Sequence, residues 1–391
     1  MARHRFRLFG NLSFLQSMDK ERILSRLLAM HRDYFTRQGL DVDALTNDDA
    51  CARQLLAVFT KPDEKMPGDL LRDLYVLDEV ADEGGHQRIL EEAELRGIDL
   101  GSFPDDVSPG DFATLVLVDH PQLVRICHEK TVARQVKRYY EYRSRDSHRF
   151  GMADAESGVD AIKATLGPWF EERKRTRTCE LFIYQEGEEV HVLITHGGLF
   201  RADGNITNRL ELSRLGWRPQ KHDSIIYDTR TGVLKVHASF EPERRAYREA
   251  LGEALAGDDA YFLDAAPYTL ESLRSNGGVL TLVDGLDRTR LTEVVVEVDA
   301  TDCRRIEIKG DDLTEMVSGC GTLAVAPGEI VRACFALGYR SGGRPRKLEV
   351  RLPNVADYDR DRDGEVTEAF LRANRFLANG HADADGLVDA A

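Results

Sequence analysis

Three aspartates at alternate positions, Asp359, Asp361 and Asp363, precede Gly364 in "DYDRDRDGEVTEAFL" and open like a calcium-binding loop. Such a loop takes ligands at positions 1, 3, 5, 7 and 9, with Gly at 6 and a bidentate Glu at 12. Starting from Asp359, Thr367 falls at the ninth place and the twelfth is Phe370, an apolar ring. Glu368 comes too early to replace it. A second partial match, "HADADGLVDAA", has Asp383, Asp385, Gly386 and Asp389 in register, but its twelfth place falls past Ala391. The same residues read better as a helix start. Asp363 caps the final helix, Glu365 sits near its positive end, and Val366, Phe370, Ala373 and Leu377 form a buried stripe. Calcium is the weaker reading, and no cofactor is expected.

Glu307 and Lys309 in "RRIEIKG" have the spacing of the (D/E)-x-K element of Mg²⁺-dependent nucleases of the PD-(D/E)xK type. In that chemistry carboxylates on neighbouring strands hold the metal and the lysine orients the attacking water. Asp299 or Asp287 would supply the remaining carboxylate. Alternating charge is also what the solvent face of a strand looks like, and that reading takes precedence. "HVLITHGGLFRADGN" carries His191, His196 and Arg201 around a Gly-Gly turn, without a G-x-S-x-G or comparable nucleophile motif. Structural or surface histidines are expected there.

The strongest positive signal is "RQVKRYYEYRSRDSHRF", with "ERKRTRT" downstream. Lys137, Arg138, Arg143, Arg145 and Arg149 interleave with Tyr139, Tyr140, Tyr142 and Phe150. Cations neutralise phosphates and rings stack on bases, while Tyr and Arg also dominate protein interfaces. With no regular period and no apolar stripe, the stretch reads as an exposed arm contacting a partner protein or a nucleic acid. No phosphate-binding G-x-x-x-x-G-K-[ST], no strand–G-x-G-x-x-G–helix unit and no H-E-x-x-H occurs, which argues against nucleotide hydrolysis, Rossmann cofactor use and zincin proteolysis.

The elements that would position these groups fall into two textures. Residues 1–130 read as an acidic helical domain: "DKERILSRLLAMHRDYFTRQG" has one apolar face, Asp19 as N-cap and Gly39 past its end. "DDACARQLLAVF", "PGDLLRDLYVLDEVA", "HQRILEEAELRG", "SPGDFATLVLVDH" and "PQLVRICHEK" follow as helices, with Gly84-Gly85 expected to break the chain and "RHRFRLFG" as one strand that pairs elsewhere. Residues 131–176 are the arm and a connecting helix that Gly167-Pro168 is expected to end or kink. From 177 to 391 strands dominate. "TCELFIYQ" and "EVHVLITHG" form one hairpin, and "DSIIYD" and "GVLKVHAS" a second. "LTEVVVEVD", "RRIEIKG", "EIVRACFALGY" and "RKLEVRLP" are further strands, and "EPERRAYREALGEALAG" is a helix among them. The fold class is α+β: an all-helical acidic domain, then a mixed, largely antiparallel sheet with segregated helices.

Composition is that of a globular chain, with 42% hydrophobic and 31% charged residues in 391. The net charge of −15 is uneven: residues 41–111 hold 19 acidic against 6 basic residues, and 134–178 hold 11 basic against 7 acidic. Arginines number 42 against 11 lysines, a bias that fits a GC-rich bacterial genome. Six scattered cysteines without a C-x-x-C pair suit reduced thiols, and no apolar run approaches the roughly 18 residues of a membrane span. A cytoplasmic bacterial accessory protein is expected, non-enzymatic and free of membrane, that binds partner protein or nucleic acid. A Mg²⁺-dependent nuclease is the alternative.

Overall fold

The computed structural model describes residues 6–61, 65–101, 103, 107–206, 212–275, 279–298, 304–314 and 328–378. The chain divides into two compact units, one of Met1–Val132 with Ala202–Leu215 and one of Ala133–Arg201 with Gly216–Ala391. The fold class is mixed α+β, with antiparallel strands in one large sheet.

The first unit is helical apart from its share of a two-stranded ribbon. Helices Asp49–Thr60, Gly68–Val80, Glu83–Arg96 and Pro109–Asp119 converge on a core that includes Phe9, Leu28, Phe35, Phe59, Leu74 and Phe112. Carboxylates anchor several starts: Asp19, Asp48 and Asp82 each accept a backbone N–H of the helix that follows. Two expectations are corrected. Residues 6–10 form bends and turns rather than a strand, and the Asp78 carboxylate takes the backbone N–H groups of Arg7 and Leu8. Gly84-Gly85 lies inside a helix, where Gly85 passes so close to the Val80 carbonyl that a Cβ would lie 1.8 Å from its oxygen.

The second unit is built on the sheet. Its strands are β1 Arg138–Ser144, β2 Cys179–Glu186, β3 Glu189–Gly197, β6 Gln220–Asp228, β7 Val233–His237, β8 Phe262–Asp264, β9 Leu286–Glu297, β10 Arg305–Lys309, β11 Glu329–Tyr339, β12 Arg346–Arg351 and β13 Val355–Asp357. The ribbon strands β4 Arg201–Ile206 and β5 Leu212–Trp217 pair with each other outside it. The sheet order is β10-β9-β11-β12-β13-β1-β7-β6-β3-β2, with β8 also on β1 and every described pairing antiparallel. Both expected hairpins are present, with Leu193 opposite Phe182 in one and Leu234 opposite Tyr227 in the other.

Period-two alternation sorts the side chains. In β7, Leu234 and Val236 join the core formed with Ile162, Leu166, Phe170 and Tyr247 of helices Val159–Glu172 and Glu241–Ala256. Lys235, between them, faces the opposite side of the sheet. At the other end, Phe335, Phe370 and Phe376 bring helix Arg360–Ala373 into a separate core with β9, β11 and β12. Pro168 lies within its helix, which continues to Glu172; the expected break does not occur. Cys51, Cys127, Cys179 and Cys334 are buried free thiols, while Cys303 and Cys320 lie outside the described residues. Among the described residues no helix is long and apolar enough to cross a membrane.

Candidate partner-binding surface

The expected arm is not an exposed segment. Its centre is β1, a strand near the middle of the sheet, hydrogen-bonded to β13, β7 and β8. Tyr139 is 1% exposed and its hydroxyl lies 3.0 Å from Ser224 Oγ, so it offers no ring to a base. Tyr142 is buried, and Tyr140 lies under the Arg244 guanidinium at 3.6 Å. The cations are largely used within the fold. Lys137 pairs with Asp359 at 2.9 Å, Arg138 with Asp357 at 2.8 Å, and Arg145 with Asp258. Arg149 donates to the carbonyls of Asp146, His148 and Thr231, its guanidinium lying over Gly232, where φ is +75° and a Cβ would meet it at 2.7 Å. Arg143 remains exposed.

The calcium-type aspartates lie on a helix rather than in a loop. Asp359, not Asp363, is the N-cap, its carboxylate accepting from Arg362 N. Asp361 stands 3.4 Å from Arg134 Nε, and buried Asp363 pairs with Arg346 at 2.5 Å. Phe370 is in the core, but the expected stripe holds only in part: Ala373 is exposed, Val366 and Leu377 are half-buried, and Leu371 is buried beside Phe370. The second half-loop, 381–391, lies outside the described residues.

Glu307 and Lys309 do share one face of β10, with Glu293 of β9 alongside. Lys309 Nζ is 3.0 Å from Glu307 and 3.6 Å from Glu293, while Arg332 pairs with both carboxylates. Two cations thus neutralise two carboxylates where a nuclease would keep its acids for a metal. Asp287 is exposed at the far end of β9, and Asp299 lies outside the described residues.

Each histidine of interest has a carboxylate. His196 Nε2 lies 3.0 Å from Asp223, which also accepts from the Tyr247 hydroxyl at 2.6 Å. Burial and the neighbouring Asp223 push that hydroxyl's pKa well up. His196 stacks on Phe170 within the core, closed off from solvent. His191 stacks on Tyr184 with Glu189 at 3.6 Å. Burial raises the Glu189 carboxyl, but His191 and Lys235 beside it bring it down to about 2.

A different surface gathers the cations and rings that β1 does not offer. Three loops meet at one end of the sheet: 173–178, 197–200 and 217–219. Arg218 ties them, donating to the carbonyls of Lys174 at 2.5 Å and Gly198 at 3.2 Å, and Gly197 N donates to Thr176 Oγ1. Lys174 takes φ +59° as the residue that closes helix Val159–Glu172, its N–H donating to the Glu171 carbonyl and that of Arg175 to the Phe170 carbonyl. Rings on this end carry cations. Arg173 lies 4.0 Å over Trp169, Arg218 lies 5.9 Å from the Phe200 centroid and Lys221 lies 5.5 Å from that of Phe240. Phe200 is 61% exposed, Phe240 58% and neighbouring Leu199 57%. Arg177 is held by Glu171 and Arg175 by buried Glu243, whereas among the described residues no carboxylate pairs with Lys174 or Arg218. "ERKRTRT" signals part of this set; Phe200 and Arg218 come from turns far along the chain that only the sheet brings together.

No protein-family model matches the chain, and a comparison with curated proteins finds none similar to it.

Proposed function

We propose that the protein is a non-enzymatic binding protein whose sheet unit holds single-stranded nucleic acid on the surface formed by Trp169, Arg173, Lys174, Phe200, Arg218 and Phe240. The observation that carries this reading is the gathering of exposed Phe200 and Phe240 and half-buried Trp169 with cations at one end of the sheet. Phosphates are met by the cations and bases by the rings, a sequence-tolerant mode in which each stacked base contributes about 1–3 kcal/mol. The net charge of −15 limits such binding to a local patch and disfavours wrapping of a duplex.

Fluorescence anisotropy with labelled single-stranded DNA and RNA oligomers tests the proposal. Binding of either strand, weakened at least tenfold by Arg173→Ala, Lys174→Ala and Arg218→Ala together, is expected. No binding of either oligomer would reject it, and binding unaffected by the triple variant would reject the surface.

A Mg²⁺-dependent nuclease centred on Glu307, Lys309 and Glu293 is the competing proposal. It is favoured only by the convergence of these side chains and opposed by the ion pairs of Arg332 with both carboxylates.

A further inference from the structure

A cavity of about 110 Å³ lies in the sheet unit, on the face of the sheet that carries Tyr139, Tyr184 and His191. Its space exceeds that of a single water. Three buried nitrogens on residues lining it have no hydrogen-bond partner among the described residues: Arg134 Nε, Arg360 Nε and His191 Nε2. His191 as a whole is only 9% exposed. Carboxylates stand beside two of these groups at ion-pair distance without hydrogen-bond geometry, Asp361 at 3.4 Å from Arg134 Nε and Glu189 at 3.6 Å from His191 Nε2.

The rest of each guanidinium is fixed. Arg134 Nη2 donates to Glu186 at 2.7 Å, and Arg360 donates to the carbonyls of Lys137 and Ala356 while stacked at 4.7 Å on Tyr139 and 4.2 Å on Tyr358. Glu189 is matched by Lys235 at 2.9 Å. Of the lining carboxylates, Glu186 and Asp361 share Arg134 and Glu189 faces Lys235, while the donors Arg134 Nε, Arg360 Nε and His191 Nε2 still lack acceptors in hydrogen-bond geometry. Unpaired buried donors are costly, and several around one cavity mark a place where an acceptor belongs.

We infer that this cavity is a binding site for a small oxyanion, a phosphate or carboxylate group, whose oxygens take up the donors of Arg134, Arg360 and His191. The site is separate from the proposed nucleic-acid surface and does not depend on that reading.

Calorimetry on the full chain with inorganic phosphate and, separately, with acetate tests it. Saturable binding with Kd of about 1 mM is expected for at least one probe. Binding of phosphate alone assigns a phosphate group, and of acetate alone a carboxylate. Arg134→Gln and His191→Phe should each weaken it about tenfold, and the Arg173, Lys174, Arg218 triple-alanine variant should leave it unchanged. In the unaltered protein the probe should also shift the imidazole ¹⁵N resonances of His191, a readout that stands should a cavity variant fail to fold. No saturable binding of either probe up to about 20 mM, in the weak limit of small-ligand affinities, would overturn the inference. So would unmoved His191 resonances at saturation.

Discussion

Replacing Tyr139 by alanine separates a central strand from a surface arm. The ring is fully buried between the sheet and Arg360, and its hydroxyl contacts Ser224. Truncating a buried aromatic costs about 3–5 kcal/mol, from lost transfer energy and from the void left behind. With a urea dependence of roughly 3 kcal/mol/M for a unit of this size, the midpoint should fall by a little over 1 M. Tyr139→Phe keeps the ring and strands only the Ser224 hydroxyl, a loss of about 1–2 kcal/mol. Arg143→Ala, at an exposed position of the same strand, should stay within about 0.5 kcal/mol. The assay is direct because both tryptophans, Trp169 and Trp217, belong to the sheet unit, so their fluorescence follows that unit's unfolding. A Tyr139→Ala protein within about 1 kcal/mol of the original would refute the buried strand, since no core aromatic is so cheaply lost.

Other consequences follow from the ion pairs. Burial raises the Glu349 carboxyl, but hydrogen bonds and charge from Lys347 and Arg351 bring it to about 2. A folded-state pKa below the unfolded one adds stability above the usual carboxylate range, lost as pH falls toward about 2. The tryptophan transition should therefore weaken from about pH 5 downward, and Glu349→Gln should flatten that dependence; an unchanged profile would contradict the assignment. Removing Arg346 leaves Asp363 buried and charged, and Arg346→Ala should cost about 3–5 kcal/mol in urea unfolding. Calorimetry with Ca²⁺ should show no sub-micromolar site at Asp359, Asp361 and Asp363, because Lys137, Arg134 and Arg346 already occupy them. Glu307→Ala with Lys309→Ala should shift stability by under about 1 kcal/mol and abolish no Mg²⁺-dependent cleavage; a cleavage activity lost in that pair would favour the nuclease.

The elements legible in the sequence are those whose signal is local. Hairpin β2–β3 is two apolar-rich runs around a short turn, and Phe370 marks the buried face of the last helix, although Ala373, expected beside it, is exposed. β1 was illegible because both its faces are covered, so apolar and polar residues do not alternate along it. Its cations have partners far along the chain, as Arg138 finds Asp357 and Lys137 finds Asp359, and sequence alone cannot distinguish a neutralised cation from a solvated one. The cap shifted from Asp363 to Asp359 for a similar reason. Either aspartate can cap, but Arg346, on a neighbouring strand, claims Asp363. The candidate surface is assembled from three separated loops together with Trp169 and Phe240 of two helix ends, and only "ERKRTRT" among the loops carries a signal of its own.

The salt dependence of single-strand binding tests the central proposal most directly. If Arg173, Lys174, Arg218 and a further cation such as Lys221 meet phosphates, log K should fall against log salt with a slope of about −2 to −3, since each contact contributes about −0.7 on a single strand. The triple variant should lose about two units of that slope. Affinity independent of salt, or a slope that the triple variant leaves intact, would contradict recognition of the phosphate backbone at this surface.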